Sequence, residues 1–407
     1  MLSLFRKAEK YDQRIALVDK NKSYTYRDLV EASNNIAYAL LETKSDLKEE
    51  RIGFLIPPSF NYLAVLWGIW KAGGVSVPLS LSATQSELTH CLTDTKITLL
   101  ISDTRGVKTL KKLADNLNIL IINEKNLKDV SFKSLPKVTL DRRAMILFTS
   151  GTTSKPKGVV STHFNVEAQI SSLIKAWGWN KKDFIPLILP LHHIHGIINS
   201  LCCPLWVGAK VDILGSFNVE KVVEAVITNK YSVFTAVPTI YFSLLDEFER
   251  MKGNKLDLLR KSFKQMRLIM SGSAALSPEI HKQWSDQTGQ VLLERYGMTE
   301  IGMALSNPLK GERKPGCVGQ PLPEVEICLM EDNKIINAEG EAGEIMIKGP
   351  QVFLEYWNQE EVTKDSFFKG WFKTGDIAEL IDGYYRILGR ESVDIIKTGG
   401  YKISALE

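Results

Sequence analysis

The chain has 407 residues, of which 44% are hydrophobic, 9% aromatic and 24% charged. These fractions are typical of a globular protein with a sizeable core, and they exclude an intrinsically disordered chain and a small disulfide scaffold. The 51 basic and 47 acidic side chains leave a net charge of +4 with no long basic tract, so nucleic-acid binding is not indicated. At this length we expect two or three domains, or one large α/β domain with an appendage.

The cysteines and the uncharged stretches bear on the compartment and on membrane insertion. The five cysteines are odd in number and form no Cys-x-x-Cys pair, which favours reduced, buried thiols and argues against a structural zinc. The N-terminus resembles no secretory signal, so we expect a cytoplasmic protein, or an organellar one if a leader was removed. Residues 53–70 and 185–209 are long enough to span a bilayer, but their prolines and polar residues favour buried core segments.

Strand and helix patterns alternate along the first two thirds of the chain. Alternating and short apolar runs predict strands over residues 23–26, 51–56, 75–78, 97–102, 145–148, 210–214 and 233–237. Helical spacing predicts helices over residues 25–38, 59–71, 87–94, 165–177 and 218–229. This alternation implies parallel sheets covered by helices, which is an α/β fold.

The last quarter of the chain has a different pattern. Short apolar segments at residues 324–330, 343–348 and 383–388 are separated by Gly, Pro and Asp turns, which predicts a small β-rich subdomain over about 316–390. Residues 397–407 are typical of the start of a new unit, so we expect the polypeptide to continue beyond them.

The segment from Thr149 to Gly158 directly follows an apolar strand pattern. Its ten residues supply five hydroxyls, two glycines and two lysines. Backbone N–H groups, hydroxyls and ammonium groups in such a loop can bind polyphosphate oxygens, and a solvated surface loop is the alternative. Because no Gly-Lys-Ser/Thr and no Gly-x-Gly-x-x-Gly occurs in the chain, this is neither a Walker loop nor a dinucleotide fingerprint.

This loop is the first of several motifs that resemble one family. Residues 148–159 closely resemble the phosphate-binding signature of the adenylate-forming superfamily, which includes acyl-CoA synthetases, luciferases and peptide-synthetase adenylation domains. The other motifs follow in that family's order: Leu189-Pro-Leu-His-His-Ile-His-Gly196, Ser271-Gly-Ser-Ala-Ala275, Tyr296-Gly-Met-Thr-Glu300, Gly343-Glu344, Trp371-Phe-Lys-Thr-Gly-Asp376 and Gly389-Arg390. The resemblance covers essentially the whole chain.

The resemblance implies a fold and a domain organisation. Residues 1–390 would form a large N-terminal domain of two mostly parallel β-sheets flanked by helices, with a small distorted β-barrel subdomain at 316–390. Residues 391–407 would be the hinge and the start of an α+β lid domain that is largely missing. The late lysine, which the family carries in a Gly-Lys motif of that domain, is absent, since no Gly-Lys occurs in this sequence.

The resemblance also implies a reaction and its cofactors. A carboxylate would attack the α-phosphate of ATP in the presence of Mg²⁺, and CoA would then displace AMP from the acyl-AMP. The residues implied to bind the β- and γ-phosphates are Thr149, Ser150, Gly151, Thr152, Thr153, Ser154, Lys155, Lys157 and Gly158, with Thr149 and Lys157 also catalytic. The other implied nucleotide contacts are Ser273, Ala274, Tyr296, Gly297, Asp376, Arg390 and Lys397.

Several of these residue types suit their implied roles chemically. Tyr296 would stack on adenine, Thr299 would contact the α-phosphate, and Glu300 would hold Mg²⁺, which prefers hard oxygen ligands. The two oxygens of the Asp376 carboxylate would accept hydrogen bonds from both ribose hydroxyls, and Arg390 would add a fixed cationic donor.

The histidines of the second motif lie in an apolar, proline-flanked segment. A His-x-His pair can ligate zinc, but no third or fourth ligand is indicated nearby. In the family, the position of His193 orients the acyl carboxylate near the α-phosphate. The position of His195 is commonly aromatic there, so a histidine makes that wall of the acyl pocket polar.

Arg295 is the residue that bears on the choice of carboxylate. Relatives that act on apolar acids usually carry a small or neutral residue before Tyr296, and a charge beside an acyl pocket is costly unless it meets an anion. A guanidinium binds a second carboxylate in bidentate fashion, and the surrounding motifs resemble malonyl-CoA synthetases. We therefore expect malonate or a similar short dicarboxylate, with Gly272, Met303 and His195 also contacting the substrate.

Three alternatives stay open at this point. Arg295 could pair with Glu294 instead of a substrate. Malonate-activating relatives often carry a basic residue where this chain has Ser243, which leaves room for methylmalonate, for a larger dicarboxylate and for a medium- or long-chain fatty acid. An adenylation module that loads a carrier-protein thiol would share every ATP motif with a CoA ligase.

Overall fold

The computed structural model describes residues 2–127, 134–149, 155–336, 339–390, 394–398 and 401–404. The chain divides into two compact units. Unit 1 comprises residues 1–170, 179–217 and 353–360, and unit 2 comprises residues 171–178, 218–352 and 361–407.

The helices and strands are numbered here in chain order. The α-helices are α1 (Ser3–Tyr11), α2 (Tyr26–Leu41), α3 (Phe60–Lys71), α4 (Gln85–Asp94), α5 (Thr104–Asn116), α6 (His163–Trp177), α7 (Cys203–Trp206), α8 (Val219–Thr228), α9 (Pro238–Arg250), α10 (Asn254–Lys264), α11 (Pro278–Thr288) and α12 (Glu360–Asp365). A 3₁₀-helix spans Glu124–Asn126, and a π-helix spans His195–Cys202.

The strands of unit 1 are β1 (Ile15–Asp19), β2 (Lys22–Thr25), β3 (Arg51–Leu55), β4 (Val75–Pro78), β5 (Leu99–Ser102), β6 (Leu120–Asn123), β7 (Arg143–Thr149), β8 (Lys157–Thr162), β9 (Phe184–Leu187), β10 (Lys210–Ile213) and β19 (Glu355–Tyr356). Those of unit 2 are β11 (Val233–Ala236), β12 (Leu268–Ser271), β13 (Leu293–Met298), β14 (Gly302–Ser306), β15 (Gln320–Pro321), β16 (Glu326–Glu331), β17 (Lys334–Ile336), β18 (Ala342–Lys348), β20 (Phe367–Phe368), β21 (Trp371–Ile381), β22 (Tyr384–Arg390), β23 (Ile395–Thr398) and β24 (Tyr401–Ser404).

Unit 1 is built on a seven-stranded sheet of order β19-β8-β7-β4-β3-β5-β6. The pairings from β7 to β6 are parallel, while β8 pairs antiparallel with both β7 and β19. Helix starts are set locally: Thr25 and Thr84 form capping boxes at α2 and α4, and the Ser59 hydroxyl caps α3. A second, four-stranded sheet has the order β2-β1-β10-β9.

Unit 2 combines a mixed sheet with an antiparallel one. The first has the order β11-β12-β13-β14-β15, parallel over its first three strands. The second contains β16, β17, β18, β20, β21 and β22, all paired antiparallel. Trp284 is fully buried and packs edge-on against the rings of Tyr241, Phe248 and Phe263, which anchors the helices beside the first sheet.

The predicted α/β fold with two mostly parallel sheets and an antiparallel β-rich segment is confirmed. The predicted elements recur with small shifts in their ends. Among the elements that were not predicted are β1, α1, α5, the π-helix and the helices α9 to α11. The two uncharged stretches fold as β3 with α3, and as β9, the π-helix and α7. Within the described ranges, no helix is both long and apolar enough to cross a membrane. All five cysteines are buried free thiols.

Candidate active site

In unit 1, the predicted phosphate loop connects two antiparallel strands. Strands β7 and β8 are paired so that Thr149 lies opposite Lys157 and Phe148 opposite Gly158. The hairpin therefore brings the first and last polar residues of the motif together. The predicted residues Ser150, Gly151, Thr152, Thr153 and Ser154 lie outside the described residues.

The base of this hairpin is held by contacts from other segments of unit 1. The N–H of Trp357 donates to the carbonyl oxygen of Gly158 at 2.7 Å, and Nε2 of His90 lies 2.8 Å from the carbonyl oxygen of Pro156. A Cβ at position 158 would lie 2.9 Å from Cγ2 of Ile146, so only glycine fits there without displacing a neighbour. These contacts fix where the phosphate loop begins and ends.

The two lysines of the loop differ in their surroundings. Lys155 is exposed, whereas the ammonium of Lys157 lies 5.1 Å from the ring centroid of Tyr356. A cation near an aromatic face is held in place while its N–H donors stay available to an anion.

The predicted histidines lie on the segment that follows β9. The rings of His192 and His193 are 4.2 Å apart, and His193 is the more exposed of the two. Burial, with a smaller contribution from His193, lowers the pKa of His192 to about 4, and burial also lowers the pKa of His193. Both rings are therefore neutral at pH 7.

His195 begins the π-helix and is buried. Its carbonyl oxygen accepts a hydrogen bond from the hydroxyl of Ser200 at 3.3 Å. At position 196 a Cβ would lie 2.2 Å from the carbonyl oxygen of Pro190, so glycine allows the π-helix to approach the preceding loop. In the described part of the chain, no group of three or more His, Cys, Asp or Glu side chains could hold a metal ion.

In unit 2, the segment from Tyr296 to Glu300 lies at the end of a β-hairpin. Tyr296, Gly297 and Met298 belong to β13 and pair with β14, so the turn begins only at Thr299. A Cβ at position 297 would lie 2.1 Å from the carbonyl oxygen of Gly302, which requires glycine. Gly297 therefore lies within the strand, and Thr299 and Glu300 lie in the turn that follows it.

Tyr296, Asp376 and Arg390 form one hydrogen-bonded cluster. The hydroxyl of Tyr296 donates to Oδ2 of Asp376 at 2.6 Å, and Nε of Arg390 donates to Oδ1 at 3.0 Å. Burial, followed by the neighbouring Asp376 carboxylate, raises the pKa of Tyr296 well above its ordinary value. Burial opposes the charge of Arg390, but Asp376, Tyr296 and Glu300 outweigh it and raise the pKa of this guanidinium.

Arg295 lies on β13 and is 2% exposed. Nε and both terminal nitrogens of its guanidinium have no hydrogen-bond partner among the described residues. Burial lowers its pKa to about 10, against a smaller opposing effect of Tyr241, so the group stays cationic at pH 7. An unpaired cation at this depth is unfavourable by several kcal/mol, roughly, unless an anion joins it.

The direction of Arg295 is set by Gly272. A Cβ at position 272 would lie 2.6 Å from Cζ of Arg295 and 2.7 Å from its carbonyl oxygen. The guanidinium therefore occupies the space that a larger side chain at 272 would need. The hydroxyl of Ser271, which is fully buried, also has no hydrogen-bond partner among the described residues.

Glu294 does not neutralise Arg295. Successive side chains on a strand point to opposite faces, and Oε1 of Glu294 accepts a hydrogen bond from the N–H of Gly316 at 3.0 Å. Nε2 of His281 lies 3.8 Å from the same oxygen. Burial raises the pKa of Glu294 to about 7, against the opposing effect of the Gly316 N–H. The alternative of a local ion pair with Glu294 is therefore wrong.

The remaining predicted residues lie in different surroundings. Ser273 and Ala274 are exposed, and Ser273 has a φ of 71°, a left-handed conformation that non-glycine residues adopt at a cost. Met303 is 1% exposed and Glu300 is 5% exposed. Lys397 belongs to β23, for which the structure describes the backbone alone.

Two residues of interest were not predicted. Tyr241 is fully buried, acts electrostatically on Arg295 and donates its hydroxyl to the carbonyl oxygen of Met270 at 2.6 Å. Asn199 is 0% exposed on the π-helix, and neither of its amide atoms has a hydrogen-bond partner within the described part of the chain. The sequence pattern that could have identified Asn199 is an amide side chain inside a mostly apolar segment.

Comparison with known proteins identifies the family. Residues 4–357 match the family model described as AMP-binding enzyme. The chain belongs to the AMP-binding enzyme family. Membership confirms the resemblance to adenylate-forming enzymes that the ordered motifs indicated.

Curated relatives align with almost all of this chain. It is similar to a malonate–CoA ligase of Xenopus laevis, named as mitochondrial, with 39% identity covering 100% of this chain and 77% of the relative. It is also similar to a malonate–CoA ligase of Arabidopsis thaliana, with 41% identity covering 99% of this chain and 72% of the relative. The chain thus spans about three quarters of the length of these relatives.

Solved structures show the same fold. Apo MatB from Rhodopseudomonas palustris superposes with a TM-score of 0.88 at 28% identity, covering 99% of this chain and 81% of that one. A malonyl-CoA ligase in a product complex with methylmalonyl-CoA and AMP gives 0.82 at 30% identity, covering 97% and 81%. The o-succinylbenzoate CoA synthetase MenE from Bacillus subtilis, in complex with AMP, gives 0.87 at 26% identity, covering 99% and 81%.

Proposed function

We propose that the protein activates malonate with ATP and transfers the malonyl group to CoA. In the first step a malonate carboxylate oxygen bonds to the α-phosphorus, and pyrophosphate leaves with the electron pair of the broken P–O bond. In the second step the CoA sulfur, having lost its proton, bonds to the acyl carbon, and AMP leaves. Family membership and the similarity to malonate–CoA ligases over nearly the whole chain support the proposal.

The observation that carries the choice of malonate is the unpaired guanidinium of Arg295. A monocarboxylate uses its single carboxylate in the chemical step and has no anion left for a second site. Malonate has one carboxylate to activate and one to place against two guanidinium N–H donors, an arrangement that satisfies the buried cation. Gly272 leaves the room that this arrangement needs.

The nucleotide contacts inferred from the sequence form part of the same proposal. Tyr296 stacks on adenine, and Thr299 contacts the α-phosphate. The Asp376 carboxylate, with Arg390 beside it, accepts hydrogen bonds from the ribose hydroxyls. His193, neutral at pH 7, donates an N–H to the reacting carboxylate without adding a competing positive charge. The β- and γ-phosphates are bound by the loop that connects β7 to β8. The residues of this segment that the structure describes are Thr149, Lys155, Lys157 and Gly158.

The residues fit a bound Mg²⁺. The metal takes hard oxygen ligands and usually only one or two protein carboxylates, completing its shell with phosphate oxygens and water. Glu300 supplies one carboxylate at the β13–β14 turn and is 5% exposed, so it is already sheltered from bulk water. When bound there, the ion neutralises charge on the phosphates and on the departing pyrophosphate.

The domain organisation and compartment belong to the proposal as well. Residues 1–390 form the large domain and residues 391–407 the hinge to a lid. The sequence favours the cytoplasm, or an organelle if a leader is removed, and several animal relatives are named as mitochondrial. Fractionation of cells that carry a tagged copy would distinguish the two compartments.

The test is a panel of carboxylates assayed with the protein in the form that its cell makes. Pyrophosphate release and thioester formation are measured with malonate, methylmalonate, acetate, butyrate and octanoate, using CoA and a phosphopantetheinyl carrier protein as alternative thiols. We expect malonate or methylmalonate with CoA to give the highest kcat/KM. Preference for octanoate would replace the proposal with a fatty-acid ligase, and preference for the carrier would replace it with a loading module.

A further inference from the structure

The cluster of Tyr296, Asp376 and Arg390 contains a contact that adenine stacking does not require. A phenylalanine would stack equally well, yet the Tyr296 hydroxyl makes a 2.6 Å hydrogen bond to Oδ2 of Asp376. That length is typical of a charge-assisted O–H···O⁻ bond, which is stronger than a neutral one. The raised pKa of Tyr296 keeps the hydroxyl protonated, so it remains a donor.

The carboxylate is held on both of its oxygens. Arg390 lies directly opposite Asp376 in the β21–β22 pairing and donates to Oδ1 at 3.0 Å. A carboxylate has about two lone pairs on each oxygen. Among the described residues, one donor on each oxygen leaves one acceptor position on each, which matches the two adjacent hydroxyls of a ribose.

The backbone of Asp376 is fixed by its own neighbours. Its N–H donates to the hydroxyl of Thr374 at 3.1 Å, and that hydroxyl donates to the carbonyl oxygen of Ile345 at 2.8 Å. The preceding residue, Gly375, donates its N–H to Oε1 of Glu344 at 2.9 Å. Because the main chain is held in this way, the Asp376 side chain can change only its torsion angles. The hydrogen bonds from Tyr296 and Arg390 fix the orientation of its carboxylate.

We propose that the Tyr296 hydroxyl positions the Asp376 carboxylate for a vicinal diol and so makes the site selective for ribonucleotides over nucleotides that lack both ribose hydroxyls. Tyr296 is then a positioning residue in addition to its role in stacking. The inference rests on the proposed function, since it takes Asp376 as the ribose-binding group.

The test measures nucleotide binding by the 407-residue chain, without carboxylate substrate, by titration calorimetry. ATP is compared with 2′,3′-dideoxy-ATP, which keeps the adenine and the phosphates but lacks both hydroxyls. Tyr296→Phe keeps the ring and removes only the hydroxyl. We expect it to weaken ATP binding by about tenfold, the lower end of the range for one hydrogen bond to a charged group, and to leave dideoxy-ATP binding within about twofold of wild type.

Two further variants separate positioning from a structural effect. In an Asp376→Asn background, Tyr296→Phe should change ATP affinity by less than about twofold, because the group through which it acts is already altered. Tyr384→Phe is the matched control, since its hydroxyl also makes one hydrogen bond, to the carbonyl oxygen of Glu312 at 3.0 Å, in the neighbouring strand β22. It should bind both nucleotides as wild type does.

The contrary outcomes are distinct. Equal losses for ATP and dideoxy-ATP in Tyr296→Phe, or additive effects with Asp376→Asn, would overturn the positioning role while leaving the nucleotide site in place. Failure of the wild-type chain to bind ATP would overturn the proposed function and this inference together.

Discussion

Two arginines in this molecule show how the surroundings of a guanidinium separate a structural role from a ligand-binding one. In unit 1, Arg142 donates to both oxygens of Asp46, at 2.7 and 2.9 Å, and to the carbonyl oxygen of Gly73. In unit 2, Arg295 is more deeply buried, and its guanidinium makes no hydrogen bond to any described residue. The first cation is satisfied by the fold itself, and the N–H groups of the second have no hydrogen-bond partner among the described residues.

The pKa values of the two guanidinium groups are shifted in opposite directions. The hydrogen-bonded Asp46 raises the pKa of Arg142 above its ordinary value, against the effect of burial. Burial lowers the pKa of Arg295 to about 10, because no carboxylate of the described residues compensates for the lost hydration. A paired arginine stabilises the folded protein, whereas an unpaired one stores an unfavourable free energy that an anionic ligand relieves on binding.

The largest expected effect is that of Arg295→Ala on malonate activation. The change should lower kcat/KM for malonate by at least about 3 kcal/mol, equivalent to more than a hundredfold, the range for breaking a buried ion pair. Steady-state kinetics with malonate and butyrate check this, and butyrate activity should hold or rise, because no unpaired cation remains. Equal losses with both acids would assign Arg295 to folding or to nucleotide binding.

The next effect is that of Gly272→Ala. The new Cβ would lie 2.6 Å from Cζ of Arg295 and 2.7 Å from its carbonyl oxygen, so the guanidinium must move. We expect kcat/KM for malonate to fall by about 10- to 100-fold, with overpacking also lowering stability by roughly 1–3 kcal/mol. ATP affinity, measured by calorimetry, is the internal control and should stay within about twofold. Unchanged malonate kinetics would mean that the direction of Arg295 is unimportant.

Arg142→Ala should have the opposite profile. Removing this side chain leaves the Asp46 carboxylate and the Gly73 carbonyl without their donor, which should lower the free energy of unfolding by about 1–2 kcal/mol since both partners are partly exposed. Urea denaturation measures the loss. The kcat/KM for malonate of the folded variant should remain that of wild type, and a selective loss of malonate activity would break the contrast with Arg295.

The smallest effect concerns Glu294, the chain neighbour that does not pair with Arg295. Its pKa is raised from 4.5 to about 7 in the folded state, so the folded protein holds a proton that the unfolded chain has lost. The resulting stabilisation is complete below about pH 4.5 and is lost as the pH rises through 7. Between pH 6 and 7.5, wild type should lose about 1 kcal/mol of unfolding free energy that Glu294→Gln does not lose.

This comparison is made by denaturation at several pH values, with His281 kept intact in both proteins. His281 faces the same carboxylate, and burial lowers its own pKa. Identical slopes for wild type and Glu294→Gln would show that Glu294 is ionised throughout this range, and the assignment of Arg295 as the unpaired group would then need revision.

Much of the fold could be predicted because its signals are local. Thr25 and Ser59 cap helices that the sequence predicts from these same positions, and alternating apolar runs marked the parallel strands. The family was predicted from motifs in a fixed order, and the comparisons confirm it. The roles of the individual site residues stay predictions.

The rest depends on contacts between distant parts of the chain. Tyr296 and Asp376 are 80 residues apart, so no local sequence pattern predicts their hydrogen bond. The π-helix at His195–Cys202 contains the same apolar residues as an ordinary helix and is set by tertiary packing around Gly196. The sequence also left open whether Glu294 neutralises Arg295, and only the strand geometry of β13 decides that it does not.

The central claim, that Arg295 binds the second carboxylate of the substrate, is tested most directly by a crystal structure of the chain with a non-hydrolysable malonyl-adenylate analogue. The account predicts that the distal carboxylate lies within about 2.7–2.9 Å of two guanidinium nitrogens of Arg295, as in a bidentate pair. A distal carboxylate bound elsewhere, with Arg295 contacted only by water or by protein, would contradict it.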